Sequence, residues 1–145
     1  MKARVRWIEN RLFMGESGTG HTVVLGTTAG PDGHKLAPSA LELMLIGAGG
    51  CTAWDVVDIL EKGRQAVDDC VVELDADRAE TEPKVFTRIH IHFTVSGRNL
   101  DRTKVERAIQ LSADKYCAAT AMLAKTAKIT HDFEVVESGE ALVAS

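Results

Sequence analysis

Two cysteines stand where this chain could put a thiol to work. Cys51 closes the apolar run Leu43-Met44-Leu45-Ile46-Gly47-Ala48-Gly49-Gly50, and Cys117 lies in Lys115-Tyr116-Cys117-Ala118. A segment that only packs has no use for adjacent glycines, since each costs a helix interior roughly 1 kcal/mol relative to alanine. Something is therefore expected to approach the backbone that presents Cys51. A pair of thiols in or beside a dry core points to redox work. The plainer reading stays open for both, because unpaired cysteine is among the most buried residue types and packs as a small hydrophobe. Cys117 is expected in the first turn of a helix, where unpaired amides, the helix dipole and Lys115 would lower its pKa. Cys70 falls on the inward side of a strand pattern and reads as packing.

The remaining candidates are weaker. His90 and His92 form an HxH on the outward face of a strand, but no third ligand accompanies them, so exposure or an interface contact is the expected role. His131 opens the last strand and reads as a terminus residue. Three cysteines without CxxC spacing argue against a zinc ribbon, while metal binding by Cys and His side chains stays open as a weaker alternative; a two-cysteine redox mechanism would itself require neither a metal nor an organic cofactor.

The elements that would position these residues follow from periodicity. Residues 2 to 8 alternate, with Ala3, Val5 and Trp7 on one face, as in a half-buried strand. Residues 11 to 15 and 21 to 26 read as two more strands joined by a glycine-rich turn. A loop from Thr27 to Pro38 precedes a long helix. Ser39-Ala40-Leu41-Glu42 fits a capping box at its start, and Lys62-Gly63 fits its end. The first half of that helix is apolar all round, so burial on every side is expected, with Asp55, Asp58, Glu61 and Lys62 returning it to water. Strands are expected over 70–77 and 86–96. A helix capped by Asp101 follows, then a second from Ser112 or Ala113 to Lys125, and a strand over 129–136. The order βββ, α, ββ, αα, β predicts an α+β fold in one domain spanning residues 1–145.

Composition narrows the function. A chain of 145 residues with 45% hydrophobic and 26% charged residues can bury a core. Its net charge of −4, with 17 Lys and Arg scattered among 21 Asp and Glu, gives no footprint for nucleic acid. Aromatics at 5% are too few for base-stacking platforms. The start lacks a secretory pattern, and the uncharged run from Leu43 to Trp54 falls short of the roughly 20 residues that span a bilayer. A cytoplasmic protein without membrane attachment is expected, in a compartment where a reactive dithiol is more plausible than a standing disulfide. A chain this small rarely encloses a long apolar helix alone, which suggests a partner subunit.

Three segments carry a resemblance. Pro38 to Val57, Leu111 to Cys117 and Ile129-Thr130-His131-Asp132-Phe133-Glu134-Val135 together resemble the OsmC/Ohr family of osmotically induced and organic hydroperoxide resistance proteins. The resemblance implies an intertwined α+β homodimer, with sheets wrapped around central helices and active sites at the subunit interface. It implies that Cys51 attacks an organic hydroperoxide, that Cys117 resolves the resulting sulfenic acid as a disulfide, and that a lipoyl or other dithiol is the reductant. The family's peroxidases also use an arginine from an N-terminal loop, paired with a glutamate at the head of the central helix. This chain departs from that pattern. The loop before the helix offers only His34 and Lys35, with Arg11 a further candidate. Glu42 stands nine residues before Cys51, where the family's glutamate stands ten before. One residue turns a helical side chain by about 100 degrees, so Glu42 is either the catalytic acid or only the cap. The alternative to a peroxidase is a non-catalytic protein that binds a small molecule or thiol ligand in the same dimeric pocket.

Overall fold

The structure, a computed structural model, describes residues 1–139. The chain divides into two compact units, Met1–Ile46 and the residues from Gly47 onward.

The first unit is an antiparallel meander of β1 (Ala3–Glu9), β2 (Leu12–Ser17) and β3 (Thr22–Gly26). Trp7 pairs with Phe13, and Phe13 in turn with Leu25. Alternation correctly marks β1 as a strand, but the half-buried face expected of it is uncovered. All seven of its residues are exposed, Val5 at 63% and Trp7 at 67%. Periodicity shows which side chains share a face and leaves open what lies against it. The unit ends at the start of α1 (Ala40–Lys62), and the capping box expected there is formed. The Glu42 amide donates to Ser39 Oγ at 3.1 Å, and the Ser39 amide donates to Glu42 Oε1 at 3.0 Å.

In the second unit β4 (Ala66–Arg78) and β5 (Phe86–Arg98) form an antiparallel pair, and β6 (Lys128–Glu137) runs parallel to β5 on its other side. Cys70 sits opposite Val95, and Phe93 opposite Phe133. The central strand puts Ile89, Ile91, Phe93 and Val95 into the core, with Val56 and Leu60 of α1 and Val105, Ala108 and Ile109 of α2 (Arg102–Leu111). Asp101 caps α2 as its spacing predicts, accepting from the Thr103 and Lys104 amides.

Four expectations about helices change. The single helix expected from Ser112 to Lys125 is a π-helical turn, Ser112–Tyr116, followed by the short α3 (Ala118–Leu123). Cys117 lies between them in an extended conformation, its amide bonded to the Ser112 carbonyl at 2.9 Å. Such turns recur at functional sites. In the first half of α1 the expected burial on every side is not found among the described residues: Met44 is 49% and Ile46 61% exposed. By length and apolar composition alone this helix could cross a bilayer, contrary to the length argument from its uncharged run. Within the second unit, however, it buries the stripe Ala48, Gly49, Thr52, Asp55, Val56 and Leu60, the spacing of a core helix. Asp55 belongs to that stripe and does not return the helix to water.

Candidate functional site

Cys51 rides on α1 one turn before Asp55, and Cys117 is delivered by the break after the π-helical turn. Although 66 positions apart in sequence (117 − 51), their sulfurs and a carboxylate oxygen of Asp55 all lie within 4.8 Å of one another. All three cysteines are unbridged; Cys51 is half-buried and Cys117 buried. The resemblance pairs these two thiols, and the fold brings them together.

A chain of buried hydroxyls holds the third member. Ser112 Oγ donates to Asp55 Oδ2 at 2.8 Å, and Thr52 Oγ1 lies 2.8 Å from Ser112 Oγ. With the serine proton committed to the carboxylate, the threonine hydroxyl is the donor to Ser112. Ser112 therefore serves the site twice, through its side chain to Asp55 and through its carbonyl to the Cys117 amide. Asp55 is only 9% exposed.

The lowered pKa expected for Cys117 is overturned. Burial pushes this thiol up, and the neighbouring Cys51 thiol adds to the rise. The Thr120 amide, donating to the sulfur at 3.4 Å, opposes it without prevailing. Position at a helix start was the sequence signal, but α3 has only six residues and the sulfur is sequestered. Cys70 is half-buried with its thiol raised to about 11, first by burial and then by Asp69. It lines a groove of about 580 Å³ between α1 and β4, together with Gly50 and Trp54.

The two glycines before Cys51 play different parts. A Cβ on Gly49 would meet Leu74 Cδ1 at 2.8 Å, so here the backbone of α1 is approached closely by β4. A Cβ on Gly50 would meet nothing within 4 Å.

Arg11, Lys35 and Glu42 belong to the first unit. The Arg11 guanidinium donates to the Asn10 carbonyl at 2.8 Å, and Lys35 Nζ to the Thr27 carbonyl at 2.9 Å. Glu42 is held by Ser39, whose amide and hydroxyl keep its carboxyl below the usual range. Among the described residues no ion pair joins Glu42 to either cation, so the cap is the role its contacts define.

His90 and His92 are partly exposed on the outward face of β5, as their spacing predicts, and carboxylates of β6 engage both. His90 Nε2 and His92 Nδ1 both meet Asp132 Oδ1, at 2.9 and 2.8 Å, and His92 Nε2 meets Glu134 Oε1 at 3.3 Å. These side chains tie β5 to β6 on the outer face of the sheet. His131 lies inside β6 and lines a cavity of about 350 Å³ with Thr52, Phe93, Ile109 and Thr120. Among the described residues, Cys51, Asp55 and Cys117 are the one convergence of three such donors. A closed structural zinc site takes four. What sequence reading missed was Asp55, and the signal that could have found it was the helical spacing Ala48, Thr52, Asp55.

Comparison with known proteins agrees with this architecture. Residues 32–132 match the model of the family described as OsmC-like protein. Protein YhfA of Escherichia coli strain K12 is 51% identical over 136 residues, covering 94% of this chain and 98% of the relative. The crystal structure of an OsmC-like protein from Mycoplasma pneumoniae superposes with a TM-score of 0.79 at 14% identity, over 93% of this chain and 96% of that one. The organic hydroperoxide resistance protein OhrB of Bacillus subtilis gives a TM-score of 0.61 at 14% identity, over 92% and 98%. At such identities the two structures speak to the fold alone.

Proposed function

This chain belongs to the OsmC-like family, and on that premise we propose that it is a thiol-dependent redox protein that reduces organic hydroperoxides. The observation that carries the reading is the approach of Cys51 and Cys117 across 66 positions to within 4.8 Å. Cys51, the less buried of the two, attacks the distal peroxide oxygen as thiolate. The O–O bond breaks, the alkoxide leaves as alcohol after protonation, and Cys51 becomes a sulfenic acid. Cys117 then attacks that sulfur, releasing water and closing a disulfide, which a dithiol such as a lipoyl group reopens by exchange. The likeness to organic hydroperoxide resistance proteins supports a substrate with a hydrocarbon part over hydrogen peroxide. Neither a metal nor an organic cofactor enters the scheme.

The working unit in this reading is a homodimer, supported by the bare apolar side chains Val5, Trp7, Met44, Ile46 and Trp54. The cytoplasm, which keeps unbridged thiols reduced, is its place. Arg11 and Lys35 are the candidate cations for activating Cys51, with Glu42 as the acid that would hold one of them.

Turnover of cumene hydroperoxide with dihydrolipoamide, abolished in Cys51→Ser, tests the proposal; absence of consumption by the wild-type protein overturns it. The second reading, a non-catalytic binding protein, rests on the raised pKa of Cys117 and on a Glu42 engaged by its own cap. It gains if the peroxide is bound but not consumed.

A further inference from the structure

A carboxylate buried beside two thiols needs an explanation, because a fixed negative charge there disfavours the thiolates on which redox chemistry depends. Packing does not supply one. A helix turning its polar side to solvent would expose Asp55, whereas here the residue is 9% exposed and anchored by Ser112, itself anchored by Thr52. Two buried hydroxyls are thus spent on fixing one carboxylate within 4.8 Å of both sulfurs.

The step that this placement fits is disulfide closure. Cys117 is the thiol that must lose its proton to attack, and it is nearly sealed from water, 3% exposed. Solvent hydroxide is poorly placed to take that proton. No cationic side chain of its own segment stabilises the thiolate: Lys115 lies over the Tyr116 ring, both exposed. From α1 the titratable groups facing Cys117 are Cys51 and Asp55.

We propose that Asp55 is the proton acceptor for Cys117, poised by Ser112 and Thr52 to carry the thiol proton to the hydroxide that leaves Cys51. This deepens the peroxidase reading and rests on it for the sulfenic acid. The step balances. The Cys117 S–H bond breaks, its electron pair forms the S–S bond, the S–O bond of the Cys51 sulfenic acid breaks, and hydroxide takes the proton from Asp55 to leave as water. Reduction is a separate exchange: a thiol of the dithiol reductant gives its proton to Asp55 and attacks the Cys51 sulfur, the S–S bond breaks, and Asp55 passes that proton to the departing Cys117 sulfur.

Single-turnover oxidation by cumene hydroperoxide separates the two steps, with dimedone trapping the sulfenic acid and mass mapping following the disulfide. In Asp55→Asn the sulfenic acid should form at least as fast as in wild type, since a charge that disfavours the Cys51 thiolate is removed, while closure at pH 7 slows on the order of 100-fold. That deficit should shrink as pH rises toward the thiol range, and Asp55→Glu should recover part of the rate. Closure can also be started without peroxide. Ellman's reagent caps Cys51 as a mixed disulfide, and attack by Cys117 releases a second coloured thiolate. A wild-type protein inert to peroxide, whose second release is slowed in Asp55→Asn with the same pH dependence, would sink the peroxidase reading and leave this one standing. Closure in Asp55→Asn at the wild-type rate, or slowed equally at every pH, overturns the inference, the second result marking Asp55 as merely structural.

Discussion

Among the three cysteines, exposure and charge set the order of reaction. Burial raises Cys70 to about 11 and pushes Cys117 up as well, so neither holds much thiolate near neutrality. Iodoacetamide at pH 8 should label Cys51 first, with Cys117 and Cys70 lagging, as peptide mass mapping would record. Early labelling of Cys117 would contradict its burial. The same measurement in Arg11→Ala and Lys35→Ala tests the activating cation, since loss of the true one raises the pH at which Cys51 reacts. Of these residues the sequence showed the two cysteines, and the family resemblance implied the order in which they would react. It could not show the carboxylate between them, because Asp55 is fixed by Ser112, 57 positions away. Nor could it show that Cys117, though placed at a helix start, is buried enough to reverse the expected shift. Local chemistry is legible in a sequence, while sequestration from water depends on the whole fold.

At the scale of elements, the helix starts at Ser39 and Asp101 and the strands around Cys70, Ile91 and Phe133 were readable because caps and alternation act over a few residues. The π-helical turn was not, since the hydrogen bond that makes it differs from an α-helical one by a single residue of reach. The packing of α1 on β4 gives a contrast between neighbours. Gly49→Ala brings a methyl to 2.8 Å from the Leu74 Cδ1 tip, which must shift, so the gain in helix propensity should be offset and this variant should be less stable than its neighbour. Gly50→Ala finds open space and should be neutral or, by helix propensity, better by up to roughly 1 kcal/mol. Urea titrations of the two variants check this; a penalty at Gly50 would mean that a second chain covers it. On the outer face of the sheet, bonds to Asp132 and then Glu134 raise the pKa of His92 above its ordinary 6.5. Charged His92 therefore favours the fold, with a contribution complete below pH 6.5 and lost as pH climbs through the raised folded-state value. An NMR titration should place the His92 midpoint above 6.5, and Asp132→Asn should bring it down.

For the whole molecule, the uncovered apolar side chains set the expectation of a dimer. Sedimentation at micromolar concentration should show no folded monomer, and Trp7→Glu should weaken association; a stable, folded wild-type monomer would remove the subunit-interface reading. The Cys51–Cys117 approach has a consequence beyond chemistry. A bond between them would be a staple around 66 intervening steps of chain, enclosing β4, β5 and α2. In the chain-entropy account a loop of that length stabilises the fold by about 4 kcal/mol. The oxidised protein should melt several degrees above the reduced one, by calorimetry before and after a dithiol. Reciprocity then makes folding integrity a control on redox poise: whatever loosens the second unit weakens the hold on its staple and makes the bond easier to reduce, by roughly 30 mV for each 1.4 kcal/mol of support lost. The molecule's oxidation state can thus be read on a thermometer, and its mechanical soundness on an electrode.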